Sequence, residues 1–158
     1  MIYLAKLKIY ESKGKDGFKD AAECLEKLHE EVPNEPSYIM QLIPYLDVST
    51  DTQKIESLFS TLFSLELDSS LKERAFRMRS QLRSEIQQWE GALEDLNSLL
   101  DLNEEWVYYK NRAEVKEALS DIKGAIKDLS KAMKTLGENN IELSLQRGEL
   151  LLKAKAYD

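Results

Sequence analysis

The sequence predicts an all-α fold built from repeated antiparallel helix pairs. Three features point there. Apolar residues recur with helical period almost end to end, only three prolines and six glycines interrupt 158 residues, and one short phrase is written twice. The phrase "WEGALEDL" (Trp89–Leu96) returns as "IKGAIKDL" (Ile122–Leu129). Gly91 and Gly124, Ala92 and Ala125, Asp95 and Asp128, and Leu96 and Leu129 thus recur 33 residues apart.

Taken from the start, "MIYLAKLKIYESKG" mixes Lys with apolar residues at helical spacing and lacks the unbroken apolar core of a signal peptide. A break is expected at Lys13–Gly17. "FKDAAECLEKLHEE" then reads as a helix ended by "VPNEP" (Val32–Pro36). A helix pair interrupted near Pro44 follows, up to Leu67. In its second half Ile55, Leu58, Phe59, Leu62 and Phe63 form one apolar stripe. Thr50 with Gln53, and Ser70 with Glu73, have capping-box spacing and predict two helix starts. Further helices are expected between breaks at Asp68–Ser70, Asn103 and Leu136–Asn140. Nothing alternates with period two for long enough to make a sheet.

Registering Ala92 on Ala125 also aligns Ser80 with Ala113, Phe76 with Tyr109 and Trp89 with Ile122. Two antiparallel helices approach closely only where both carry small side chains. Ser80 with Ala92, and Ala113 with Ala125, supply them, and Phe76, Tyr109, Leu96 and Leu129 fill the space beside the contact. After Asn140, Arg147, Gly148 and Glu149 answer Arg112, Ala113 and Glu114, and Tyr157 takes the place of Trp89 and Ile122. Near the start, Phe18, Ala21 and Leu25 answer Trp89, Ala92 and Leu96. The period is about 33 to 35 residues.

At these residues the chain resembles the tetratricopeptide repeat family, in which a bulky and then a small residue in the first helix meet Ala, an aromatic or Leu, and a second small residue in the second. Tyr109, Ala113, Ala125, Leu129 and Ala132 match best; Phe76, Ser80, Ala92 and Leu96 match next best, with Leu99 standing where a small residue is usual. The resemblance implies a right-handed α-solenoid whose first helices line a concave groove. It divides residues 1–158, as one array, into units 2–34, 36–68 (degenerate), 73–105, 106–140 and a partial 141–158. An apolar strip on the last helix (Leu143, Leu145, Leu150, Leu151, Tyr157) is expected to lie unpaired. That predicts a piece of a longer array, or an open end through which copies self-associate.

The inventory of reactive groups argues against an enzyme. There is one cysteine, Cys24, read as a small buried hydrophobe, and one histidine, His29, beside Glu26, Glu30 and Glu31, read as a solvated or capping residue. No zinc set, thiol–imidazole pair or phosphate-binding glycine loop is present, so no cofactor and no metal is expected. A net charge of −7 disfavours nucleic acid and membrane surfaces, and no segment is apolar enough to span a bilayer. A cytoplasmic, intracellular protein is expected.

What remains is surface. The resemblance places peptides or partner helices in the groove, where the first helices present Arg74, Arg77 and Gln81, then Lys110, Asn111 and Glu114, then Gln146. Within an acidic chain the run "LKERAFRMRSQLR" (Leu71–Arg83) gathers Lys72, Arg74, Arg77, Arg79 and Arg83. It reads either as a solvated face balancing Glu85, Glu90 and Glu94 or as a patch that accepts a partner's carboxylates through Arg forks. The carboxylate clamp by which some family members grip heat-shock chaperones does not carry over. Arg77, Gln81 and Asn111 fit it, but Glu142 and Gln146 stand where a Lys and an Arg are needed. The expected function is a protein-interaction scaffold with a protein or peptide partner, acidic if the Arg-rich run is the site. The alternatives are a single-stranded RNA-binding helical-repeat module and a self-associating architectural segment.

Overall fold

The computed structural model describes residue 10, residues 17–137 and residues 140–157, with the side chains of 156 and 157 outside that set. The helix expected at the N-terminus, most of the break at Lys13–Gly17 and the Tyr157 side chain therefore lie outside the described residues. Eight α-helices are present among those described, and no strand: α1 (Phe18–Glu31), α2 (Pro36–Leu42), α3 (Thr52–Ser64), α4 (Ser69–Glu85), α5 (Trp89–Leu102), α6 (Trp106–Ala118), α7 (Ile122–Leu136) and α8 (Ile141–Tyr157). The chain forms two compact units, residues 1–75 and 76–158.

In the first unit α1 packs on α2 and on the 3₁₀ turn Ile43–Tyr45, and α2 packs on α3. Ala21, Cys24, Leu25 and Leu28 of α1 are buried, as are Ile55, Leu58, Phe59 and Leu62 of the α3 stripe. Phe63, last of that stripe, stacks on Phe59 with ring centroids 6.4 Å apart. Pro36 opens α2 at the position where its missing N–H costs nothing, and the Glu35 carboxylate caps it through the Ser37 N–H. Pro44 explains why α2 gives way to a 3₁₀ turn after seven residues.

The two expected capping boxes do not form. α3 starts at Thr52 behind Asp51, and α4 starts at Ser69, where the Asp68 carboxylate accepts the Leu71 N–H at 2.8 Å. An ionised acceptor two residues before the expected cap is the better partner for the positive end of a helix, so Asp68 prevails over Ser70.

The second unit carries the repeat. α5 packs on α6, α6 on α7, and α7 on α8. Ala92, Ala113, Ala125 and Ala132 are each no more than 1% exposed, so the small residues of the repeat lie inside the core. Leu96, Leu99, Tyr108, Tyr109, Val115, Leu129, Leu143 and Leu150 complete this core, with Phe76, Trp89 and Ile122 packed against it. Of the apolar strip expected to be unpaired on α8, Leu143 and Leu150 are in fact buried in this core, while Leu145 and Leu151 are exposed.

The turns within the two pairs are near copies. After α4, the Gln88 N–H donates to Arg83 O and the Gln87 N–H to Ser84 O. After α6, the Asp121 N–H donates to Lys116 O and the Ser120 N–H to Glu117 O. Both are Schellman closures, and both put a non-glycine residue at positive φ: Gln87 at 60° and Ser120 at 64°. At the end of α7 the positive φ falls on a glycine, Gly137 at 108°, whose N–H donates to Met133 O.

Candidate partner-binding groove

Residues of α4, α6 and α8 line two clefts of the second unit, which take in the candidates Arg77, Gln81, Asn111, Glu114 and Gln146 but not Arg74 or Lys110. The larger, about 570 Å³, is lined by Arg77, Gln81, Asn111 and Glu114 together with Ser80, Ser84, Glu85 and Trp89. The smaller, about 130 Å³, is lined by Glu114, Glu117, Gln146 and Glu149 over an apolar floor of Ala113, Leu129 and Leu150. Helical spacing aligns these residues. Arg77 and Gln81, then Lys110 and Glu114, lie four apart on successive first helices and so share one face.

Charge along this face is divided. In the larger cleft Arg77 has no ion-pair or hydrogen-bond partner for its guanidinium among the described residues. Gln81 donates from Nε2 to Glu85 at 3.3 Å. Lys110 bridges Glu114 and Glu142, each at 3.3 Å. Burial opposes its charged form, yet the two carboxylates outweigh that and raise its pKa. Lys110 is therefore a cation already held by this chain. At the smaller cleft Glu117 is paired with Lys153. Gln146 Oε1 is enclosed there with no hydrogen-bond donor among the described residues. Arg74 is exposed and belongs to the first unit.

Two members of the Arg-rich run turn inward. The buried carboxylate of Asp95 accepts from Arg79 (Nη2, 2.6 Å) and Arg83 (Nη1, 3.1 Å). One repeat later the buried Asp128 accepts from Arg112 (Nε and Nη2, both 2.8 Å) and pairs with Lys116 (2.8 Å). Burial pushes the Asp128 carboxyl up, but the Arg112 and Lys116 hydrogen bonds and charges more than offset it, leaving its pKa below the ordinary aspartate value. Arg79 and Arg83 thus direct donors to a buried carboxylate of their own chain, Asp95. The signal was present: Arg79 and Arg112, Arg83 and Lys116, and Asp95 and Asp128 all recur at 33 residues.

Gly91 is explained by the same arrangement. A Cβ there would come within 3.1–3.2 Å of the Arg83 side chain, which crosses the start of α5 and also donates to Gly91 O at 3.3 Å. At Gly124 a Cβ would overlap the Asp121 carboxylate, which caps α7 by accepting the Gly124 N–H at 2.9 Å.

Among the described residues no cluster of His, Cys, Asp and Glu could hold a metal ion, and no helix is long and apolar enough to cross a membrane. Cys24 is buried, as expected; His29, in the last turn of α1, is partly exposed, with its Nδ1 enclosed without a hydrogen-bond partner among the described residues.

No protein-family model and no curated protein sequence matches the chain. Solved structures do match it. A tetratricopeptide repeat protein from Parabacteroides merdae superposes with a TM-score of 0.76 at 20% identity, over 98% of this chain and 60% of its own. MamA (41-end) from Desulfovibrio magneticus RS-1 gives 0.74 at 17% identity, over 95% of this chain and 86% of its own. Another MamA structure gives 0.70 at 15% identity, over 98% and 87%. At such identities the likeness is one of fold. The chain has the all-α helical-repeat solenoid fold of tetratricopeptide repeat proteins.

Proposed function

With the tetratricopeptide-repeat fold as premise, we propose that this chain is a protein-interaction scaffold that holds an extended segment or helix of a partner protein along the α4–α6–α8 face. The carrying observation is the larger cleft, where an unpaired guanidinium (Arg77) stands beside amide groups (Gln81, Asn111) in an otherwise acidic protein. An Arg fork with neighbouring amide donors suits a carboxylate of the partner. Lys110, held by two glutamates, contributes through that network and not as a free cation. The carboxylates Glu85 and Glu114 in the larger cleft and Glu149 further along the face work against a nucleic-acid backbone, so a protein segment is the better occupant than single-stranded RNA.

Selection of a random-peptide library on the chain tests this. The selected peptides are expected to carry Asp or Glu and to lose at least tenfold in affinity for Arg77→Glu, on the scale of one charge-assisted contact. Lys134→Glu, exposed on α7, serves as the control and is expected to bind them unchanged. Selected peptides indifferent to Arg77→Glu refute the groove. RNA affinity that falls steeply with salt favours the rival reading.

A further inference from the structure

Between α5 and α7 the 33-residue repeat keeps the apolar contact but inverts the surface charge. α5 carries Glu90, Glu94 and Asp101; the same positions on α7 carry Lys123, Lys127 and Lys134. At about 100° per residue these offsets fall on one narrow stripe of each helix, and all of these side chains are exposed. The α5 stripe stays exposed although α6 and α7 pack on in turn, so this position of the repeat faces outward whatever follows it. None of these residues lines the two clefts of the candidate groove. Nor does the chain neutralise the stripes itself: Glu90, Glu94, Lys127 and Lys134 enter no ion pair among the described residues.

We propose that the outer faces of α5 and α7 dock a second copy of this chain, acid stripe on lysine stripe. A two-fold axis parallel to the helices lays α5 of one copy over α7 of the other, and α7 over α5. Glu90 and Lys123 occupy the same turn of their helices, as do Glu94 and Lys127, and Asp101 and Lys134. Each acid therefore meets a lysine at its own height, in both directions. A two-fold axis across the helices would set acid on acid instead. The occupant has to offer both signs at one spacing, and this chain does. An anionic membrane or nucleic acid laid over the lysines would also meet the acids of the preceding second helix, which repel it. Exposed ion pairs are individually weak, so the dimer is a low-affinity one that salt dissolves. It does not depend on the groove being a binding surface.

Sedimentation equilibrium of the whole chain, at about 20 mM and about 500 mM salt, provides the test. A monomer–dimer equilibrium is expected, with a dissociation constant at least tenfold larger at the higher salt. Reversing one stripe (Glu90→Lys, Glu94→Lys, Asp101→Lys) or the other (Lys123→Glu, Lys127→Glu, Lys134→Glu) is expected to abolish the dimer while the helical circular-dichroism signal is kept. Reversing both stripes together restores the original net charge and the complementarity, and is expected to restore the dimer. Mixing the two single-stripe variants is expected to give a heterodimer. A chain that stays monomeric up to about 1 mM at the lower salt, a dimer indifferent to salt or to either reversal, or a doubly reversed chain that stays monomeric would each overturn the proposal.

Discussion

Arg112 holds Asp128 in a fork, two parallel hydrogen bonds of 2.8 Å, and Lys116 closes on the same carboxylate from one turn further along. Thirty-three residues earlier Arg79 and Arg83 do the same to Asp95. Even the stacking recurs: the Arg79 guanidinium lies 5.7 Å from the Phe76 ring centre and that of Arg112 lies 5.7 Å from Tyr109. The repeated element is therefore a buried ion network as well as an apolar contact.

Removing the acid leaves two cations facing each other in a partly dry site. Asp128→Ala is expected to cost about 3 kcal/mol, the scale of breaking a buried ion pair from one side. Asp128→Ala combined with Arg112→Met is expected to cost less than the sum of the two single changes. Urea denaturation of the four proteins checks this, and additive losses would mean that the pair is energetically uncoupled.

Acid should loosen the second unit. Because the folded pKa of Asp128 lies below its unfolded value, near 3.8, its stabilisation is complete above that value. It fades as pH falls through the lower folded value, when the folded state must also take up the proton. Thermal midpoints measured from pH 6 down to 2 are expected to fall over the acid end, and to fall less steeply for Asp128→Asn.

A cap can be transferred between pairs. Gln88 and Asp121 precede α5 and α7 with almost the same backbone, φ −82° and ψ 66° against φ −82° and ψ 67°, yet only Asp121 caps its helix. Gln88→Asp is expected to stabilise by about 1 kcal/mol through the free Gly91 N–H, and Asp121→Ala to destabilise by a similar amount. Chemical denaturation measures both. A neutral Gln88→Asp would show that Arg83, which crosses Gly91, obstructs the cap.

The left-handed residues Gln87 and Ser120 carry a conformational cost that glycine or asparagine reduces. Gln87→Asn and Ser120→Asn are each expected to raise stability by about 0.5 kcal/mol, and Ser120→Ile to lower it by about 1–2 kcal/mol. Differential scanning calorimetry on the variants ranks them.

Much of the fold was legible because its signals are local. Helix period, the proline at the start of α2, the breaks at Asn103 and after Leu136, and the 33-residue recurrence of Ala92 and Ala125 depend only on residues near in sequence. The expected helix starts missed Ser69 by two residues and Thr52 by one: before α4 the Asp68 carboxylate takes the Leu71 N–H, whereas before α3 the Asp51 carboxylate turns back to the Asp47 N–H and caps no helix N–H. The groove residues Arg77, Gln81, Asn111 and Glu114 line one cleft because they share a helical face, which spacing reveals.

By itself the sequence determined that this chain forms paired helices with a repeating small-residue contact, since periodicity and side-chain volume are written residue by residue. Only the tertiary structure decided the fate of each charge. Arg77 lines the cleft with no partner among the described residues, while Arg79 and Arg83, two and six residues on, are drawn into Asp95. Which way a long cationic side chain turns depends on the carboxylate that a neighbouring helix brings within about 3 Å, and that distance exists only once the helices have packed.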